Sequence, residues 1–238
     1  MTARTLAIWK REVLSNFTSA RAYVMCALMM FFAAVIFWFG SLQEGRDASM
    51  RGIMGLFVFL LLAITPILTM RTLSEETSRG TLELLLTSPV KEVDIVLGKF
   101  LGTLSVYVVL FVLTGIFPVI LFQVSTPEGG PMIAQYLGML LCSMAFISVG
   151  IFASSLTSSQ VVAAVVSYLV LLMFWISWFF APAMPSTLAA VVREIALIEH
   201  LDNFGKGIVD AVDVFYYLAF TAAFLFLAVR SVEARRWT

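Results

Sequence analysis

The chain has 238 residues, of which 61% are hydrophobic and 13% charged, with 15 Lys plus Arg against 15 Asp plus Glu. An ordinary soluble domain carries about 25% charged residues, so the composition excludes that class and points to an all-α, polytopic membrane protein. The net charge of zero says nothing about partners, because here the position of each charge relative to the bilayer matters, not the sum.

Residues 3–20 open the chain with Leu6, Trp9, Val13 and Phe17 at helical spacing and with Arg4, Lys10, Arg11 and Glu12 between them. That pattern predicts an interfacial helix lying along one leaflet. A signal peptide is disfavoured, because Phe37-Trp38-Phe39 after the first apolar run offers no small-residue cleavage site. Six charge-free cores follow, at about 22–40, 53–70, 100–122, 133–155, 160–181 and 214–229. About 20 residues of helix cross a hydrocarbon core of roughly 30 Å. The uncharged run 129–192 is too long for one crossing, and Thr157-Ser-Ser-Gln160 supplies the polar turn that divides it. Cys26 and Cys142 fall inside spans and read as small buried hydrophobes. Thioethers bind Cu(I), but Met25, Met29 and Met30 in the first span fit ordinary packing better.

Between the second and third spans lies a charged island: residues 71–99 hold nine charged side chains, flanked by Ile53–Met70 and Phe100–Phe122, which hold none. Thr72 with Glu75 has capping-box spacing. Ser88 before Pro89 predicts a second helix start, running through Asp94 and Lys99 into the third span. Gly80 is expected to break the helix before it, leaving Thr81–Leu86 as a short helical turn. Leu82, Leu84, Leu85 and Leu86 around Glu83 would be wasted in water, so they are expected to pack against the protein's own base and a partner's groove.

An even span count puts both termini on one side. Eleven basic residues then share a face, among them Arg4, Arg71, Arg79, Lys91, Lys99 and Arg230; the opposite face has only Arg46, Arg51, Arg193 and Lys206. Basic loops stay in the cytoplasm, so the termini and the island are predicted to be cytoplasmic. The long outer loop 182–213 opens with Pro182 and Pro185. It predicts an amphipathic helix over 188–197, then a break at Phe204-Gly205-Lys206-Gly207 before a second short helix, with both dipping into the outer leaflet.

Candidate chemistry is thin. No span core holds Asp, Glu, His, Lys or Arg, which argues against ion-coupled transport. The stretch from Gly40 to Asp47 lacks the Lys-Ser/Thr of a phosphate loop, so no ATPase is expected in this chain. Ser88-Pro-Val-Lys91 matches Ser-x-x-Lys, but helix capping already accounts for Ser88. His200, the only histidine, has Glu199 beside it but no second ligand type, so a surface or loop-packing role is expected rather than a catalytic or metal one. Ser143, Ser148, Ser154 and Ser155 have no in-span acid or base and read as packing residues bonded to their own helix. Gly98-x-x-x-Gly102 allows close helix contact.

The island resembles the cytoplasmic motif of the ABC-2 type transporter permeases, Glu-x-x-x-Gly-Thr-x-Glu-x-Leu-x-x-x-Pro, through Glu76, Gly80, Thr81, Glu83, Leu85 and Pro89. The resemblance covers nearly the whole chain. It implies a single transmembrane domain over 1–238 and a coupling helix that docks on a separate ABC ATP-binding subunit. ATP and magnesium are then held by that partner, with no cofactor or metal in this chain. It also implies a second permease chain, a bacterial plasma-membrane location, export rather than import, and no nucleic-acid partner. The expected docking residues are Glu75, Glu76, Arg79, Gly80, Thr81, Leu82, Glu83, Leu84, Leu85 and Pro89. Gly205, Gly207, Asp210, Asp213 and Tyr216 look like the subgroup associated with gliding motility and copper-enzyme maturation. A membrane scaffold without cargo is the alternative reading.

Overall fold

The computed structural model describes residues 3–41, 51–81, 90–124 and 129–235. Their regular structure is helical: α1 (Ala3–Thr18), α2 (Ala20–Ser41), α3 (Arg51–Thr69), α4 (Ser74–Ser78), α5 (Glu92–Thr114), α6 (Ile116–Val124), α7 (Gly129–Leu156), α8 (Gln160–Phe180), a 3-10 turn (Ala181–Ala183), α9 (Ser186–Ile195), α10 (Leu197–Gly205) and α11 (Ala211–Ala234). Six stretches are long and apolar enough to cross a membrane, within α2, α3–α4, α5–α6, α7, α8 and α11. The protein is a multi-pass, all-α membrane protein, as its composition predicts.

Helix α7 is the axis of the bundle, with 78% of its span buried against 17% for α8. Helices α3, α5, α8, α10 and α11 pack around it. Lipid tails are as apolar as leucine, so close helix approach has to supply the attraction, and small residues permit it. A Cβ on Gly150 would lie 2.0 Å from Thr69 Oγ1, and one on Gly138 would lie 2.6 Å from Phe204 Cβ. The hydroxyls of Ser143, Ser148 and Ser155 donate to the carbonyls of Met139, Ala145 and Phe152 in their own helix, each at 2.7 Å. They are therefore satisfied without any partner across the bundle. Cys26 and Cys142 are free thiols, and Met29 lies in the core.

Two prolines shape the flanking spans. Pro66 lies inside α3, where it cannot donate to the preceding turn; beside it Thr65 donates to Leu61 O at 2.6 Å and meets the Tyr107 hydroxyl at 2.7 Å, tying α3 to α5. The third span, expected as one helix entered through Asp94 and Lys99 with its charge-free core over 100–122, does run as helix from Glu92 but is broken at Gly115. Pro118 explains the break, since it cannot donate to the carbonyl of Thr114 four residues back.

Helix α1 docks along the first half of α5. The glycines of Gly98-x-x-x-Gly102 form the groove: a Cβ on Gly98 would meet Ile8 at 2.6 Å and one on Gly102 would meet Glu12 at 2.5 Å. The motif therefore serves packing within the chain. Thr5, Ile8, Glu12 and Asn16, spaced three or four apart, face this groove, and Trp9 Nε1 donates to Ser105 Oγ at 2.9 Å. Of the apolar stripe expected on α1, Leu6 is exposed while Trp9, Val13 and Phe17 are half-buried beside this ridge. A groove without side chains selects for fit, and the polar ridge fits it.

After α8 the chain turns through α9 and α10 before α11. Both short helices precede the Gly-Lys-Gly break, whereas the sequence suggested one on each side. The reason lies at the ends of the linker. Ala196 is extended and separates the two helices. Gly207 takes φ +84° against Pro131, a conformation that favours glycine. Asp210 then caps α11 by accepting from Val212 N at 3.0 Å, leaving no room for another helix.

Candidate functional site

The charged island begins where α3 ends. The first predicted helix start does not form as its spacing suggests, and the second, Ser88-Pro89, lies outside the described residues. Thr72 Oγ1 donates back to Thr69 O at 2.7 Å, and α4 starts at Ser74 behind Leu73, which has no capping side chain. The opening N–H groups of α4 are satisfied from α7 instead: Ser154 Oγ accepts from Leu73 N and Ser74 N, both at 3.0 Å, and donates to Met70 O at 3.0 Å. Ser154 thus differs from its three neighbouring serines, because it holds the island rather than its own helix. Gly80 ends the element with φ +71°, as expected. Val90 and Lys91 are not helical, and α5 starts at Glu92.

Glu76 points inward. Its Oε1 meets Lys99 Nζ at 2.9 Å and the Arg11 guanidinium at 2.9 Å. Lys99 also reaches Glu12 Oε1 at 3.0 Å, and Arg11 lies 3.6 Å from the same oxygen. Two acids and two bases from α1, α4 and α5 thus form one neutral quartet. Its centre, the Lys99 ammonium, is 2% exposed. A buried ammonium is costly unless paired and hydrogen-bonded, and here two carboxylates meet that need. Below it, Thr5 Oγ1 donates to the buried Asp94 at 2.6 Å, and Asp94 sits in the first turn of α5, where the helix dipole favours negative charge.

Glu75 pairs with Arg79 at 2.7 Å, and the Arg79, Gly80 and Thr81 side is exposed. Thr81 Oγ1 donates to Glu76 O at 3.3 Å. A polar cleft of about 430 Å³ opens beside the quartet, between α1, α4 and the start of α5. Within it Arg71 Nε and Glu76 Oε2 are buried without a hydrogen-bond partner among the described residues. Leu82, Glu83, Leu84, Leu85 and Pro89 lie outside the described residues.

Sequence reasoning singled out Glu76 but missed Lys99, Glu12 and Arg11 as its partners. The available signals were one acid among the bases of α1 and one lysine at the mouth of an uncharged span.

Such an arrangement defines a class: a helical membrane protein with a buried ionic cluster at one end of its bundle of apolar helices. Residues 39–229 match the family model described as ABC-2 family transporter protein, and the chain belongs to that family. Membership makes it a transporter permease domain and implies an ATP-binding subunit as its partner. No curated protein matches the chain.

Proposed function

We propose that this chain is the permease subunit of an ATP-driven exporter, and that the segment from Glu75 to Pro89 receives the motion of a separate ATP-binding subunit. The observation that carries the reading is the Arg11–Glu12–Glu76–Lys99 quartet. A push on α4 reaches both α1 and the third span through the buried Lys99. Packed ionic contacts of this kind move as a unit or rearrange to another discrete set. In this proposal Arg79, Gly80, Thr81 and Glu83 form the docking surface with Glu75, while Leu82, Leu84, Leu85 and Pro89 shape the coupling helix and Glu76 anchors it. ATP and magnesium belong to the partner, and a second permease chain completes the pathway. The excess of Lys and Arg on the island's side supports cytoplasmic termini in a bacterial plasma membrane. Kinship with the gliding-motility and copper-maturation permeases belongs to the same proposal and rests on Gly205, Gly207, Asp210, Asp213 and Tyr216.

The test is mild-detergent purification of the tagged chain from its native membrane, with vanadate-sensitive ATP hydrolysis measured on the eluate. An ATP-binding subunit that co-purifies and is lost in Glu83→Lys supports the docking surface. Glu76→Gln should keep the subunit bound but uncouple its hydrolysis from the permease. Recovery of the chain alone favours a scaffold instead.

A further inference from the structure

At the opposite end of the bundle, one imidazole joins three helices. His200 is carried on α10, whose Leu197, Leu201 and Phe204 are buried, Phe204 lying against Gly138 of α7. Its Nδ1 lies 2.7 Å from Asp213 Oδ1 on α11, and its Nε2 lies 3.0 Å from the main-chain carbonyl of Glu194 on α9. The ring stacks on Tyr216 with centroids 3.9 Å apart. Around it, Tyr216 and Tyr217 donate to the carbonyls of Ile195 and Leu197 at 2.5 and 2.7 Å. The histidine is therefore buried, not at the surface as one of its expected roles had it, and it is the hub of the loop packing.

The chemistry of the two partners is decisive. A main-chain carbonyl has no proton to give. Asp213 accepts at both oxygens, taking the Asn203 amide on Oδ2 at 2.8 Å as well as the ring on Oδ1, which fits the carboxylate. A neutral imidazole has one N–H and one lone pair, so one nitrogen would face an oxygen lone pair to lone pair. The imidazolium donates from both nitrogens and satisfies every group.

We propose that His200 is a proton-binding site that latches the α9–α10 pair onto α11. With the proton bound, the ring bridges Asp213 and Glu194. When the proton leaves, one bridge loses its donor, Asp213 becomes an uncompensated buried carboxylate, and the pair of helices loosens over the end of α7. The latch thus responds to proton availability on the side of the membrane that this end faces, holding while the ring carries its second proton and releasing when that proton leaves.

Other groups on the packed elements do not substitute for the ring. Helix α9 carries Arg193 and Glu194; α10 carries Glu199, with Asp202 and the adjoining Lys206 paired to each other. Helix α7 offers Tyr136 and Cys142, α8 offers Tyr168, and α11 adds Tyr216 and Tyr217, with Arg230 and Glu233 at its far end. Asp213 alone among them meets the imidazole by an ionic contact.

Because the chain has one histidine, ¹⁵N-histidine labelling reports this site alone. The full chain, without a polyhistidine tag and in lipid nanodiscs, is examined between about pH 5.5 and 8.5 by nitrogen NMR and by hydrogen exchange of residues 194–205. The expected result is a doubly protonated ring at the acidic end. Exchange protection, corrected for intrinsic rates, should fall by about tenfold or more as the ring deprotonates. In His200→Gln that pH dependence should vanish. A neutral imidazole at the acidic end, equal protection across the range, or an unchanged pH response in His200→Gln would each overturn the latch. The wild-type measurements decide the matter even where the variant does not fold.

Discussion

Lys99, itself buried, holds two carboxylates at the edge of the polar cleft, and removing it leaves Glu12 and Glu76 facing each other with the exposed Arg11 to compensate. Breaking a buried pair from one side costs about 3–5 kcal/mol, so Lys99→Met should lower the thermal unfolding temperature markedly. Adding Glu76→Gln to that variant should return part of the loss, because the second change removes the stranded charge. A double-mutant cycle on purified protein measures this coupling. Packing gives a second residue-scale expectation. Gly150→Ala places a methyl onto Thr69 and should destabilise by about 1–3 kcal/mol, whereas Gly55, with no atom within 4 Å of an added Cβ, should accept alanine within about 0.5 kcal/mol. At this scale the site was half legible. The acid Glu76 stood out by its place in a motif. Its partners lie 65 and 23 residues away in sequence, and pairing at such separations is fixed by how α1 docks on α5, which local spacing does not encode.

The spans were legible as elements because charge-free runs of helical length leave few alternatives in a bilayer. The starts of the short helices were not. Capping rules look within a few residues, whereas the first turn of α4 is capped by Ser154, 80 residues further on. A sequence pattern can therefore place Thr72 and Glu75 correctly in spacing and still miss the group that closes the helix. Ser154→Ala would leave the N–H groups of Leu73 and Ser74 and the carbonyl of Met70 without this partner. Each orphaned buried group costs about 1–3 kcal/mol. Hydrogen exchange across residues 71–78 should accelerate, while Ser148→Ala, which loses only a bond within its own helix, should leave that segment unchanged.

For the whole molecule, three candidate spans separate Ser78, the last residue of α4, from Ser186 at the start of α9, so the two should face opposite sides of the membrane. In a background lacking Cys26 and Cys142, single cysteines at these exposed positions should react with an impermeant maleimide from opposite faces of sealed vesicles. Labelling of both from one face would overturn the three crossings between them. The arrangement around α7 also governs how the protein is made. This span is the fourth to leave the ribosome, yet it supplies the contact surface for α3 and α5 before it and for α8, α10 and α11 after it. The first three spans and α1 touch one another, α2 on α3 and α1 on α5, but lack the surface that α3 and α5 share until residue 156 has emerged. Biogenesis therefore has a natural checkpoint: a nascent chain ending after Leu156 should be the earliest to resist membrane-protease clearance, and shorter ones should be degraded.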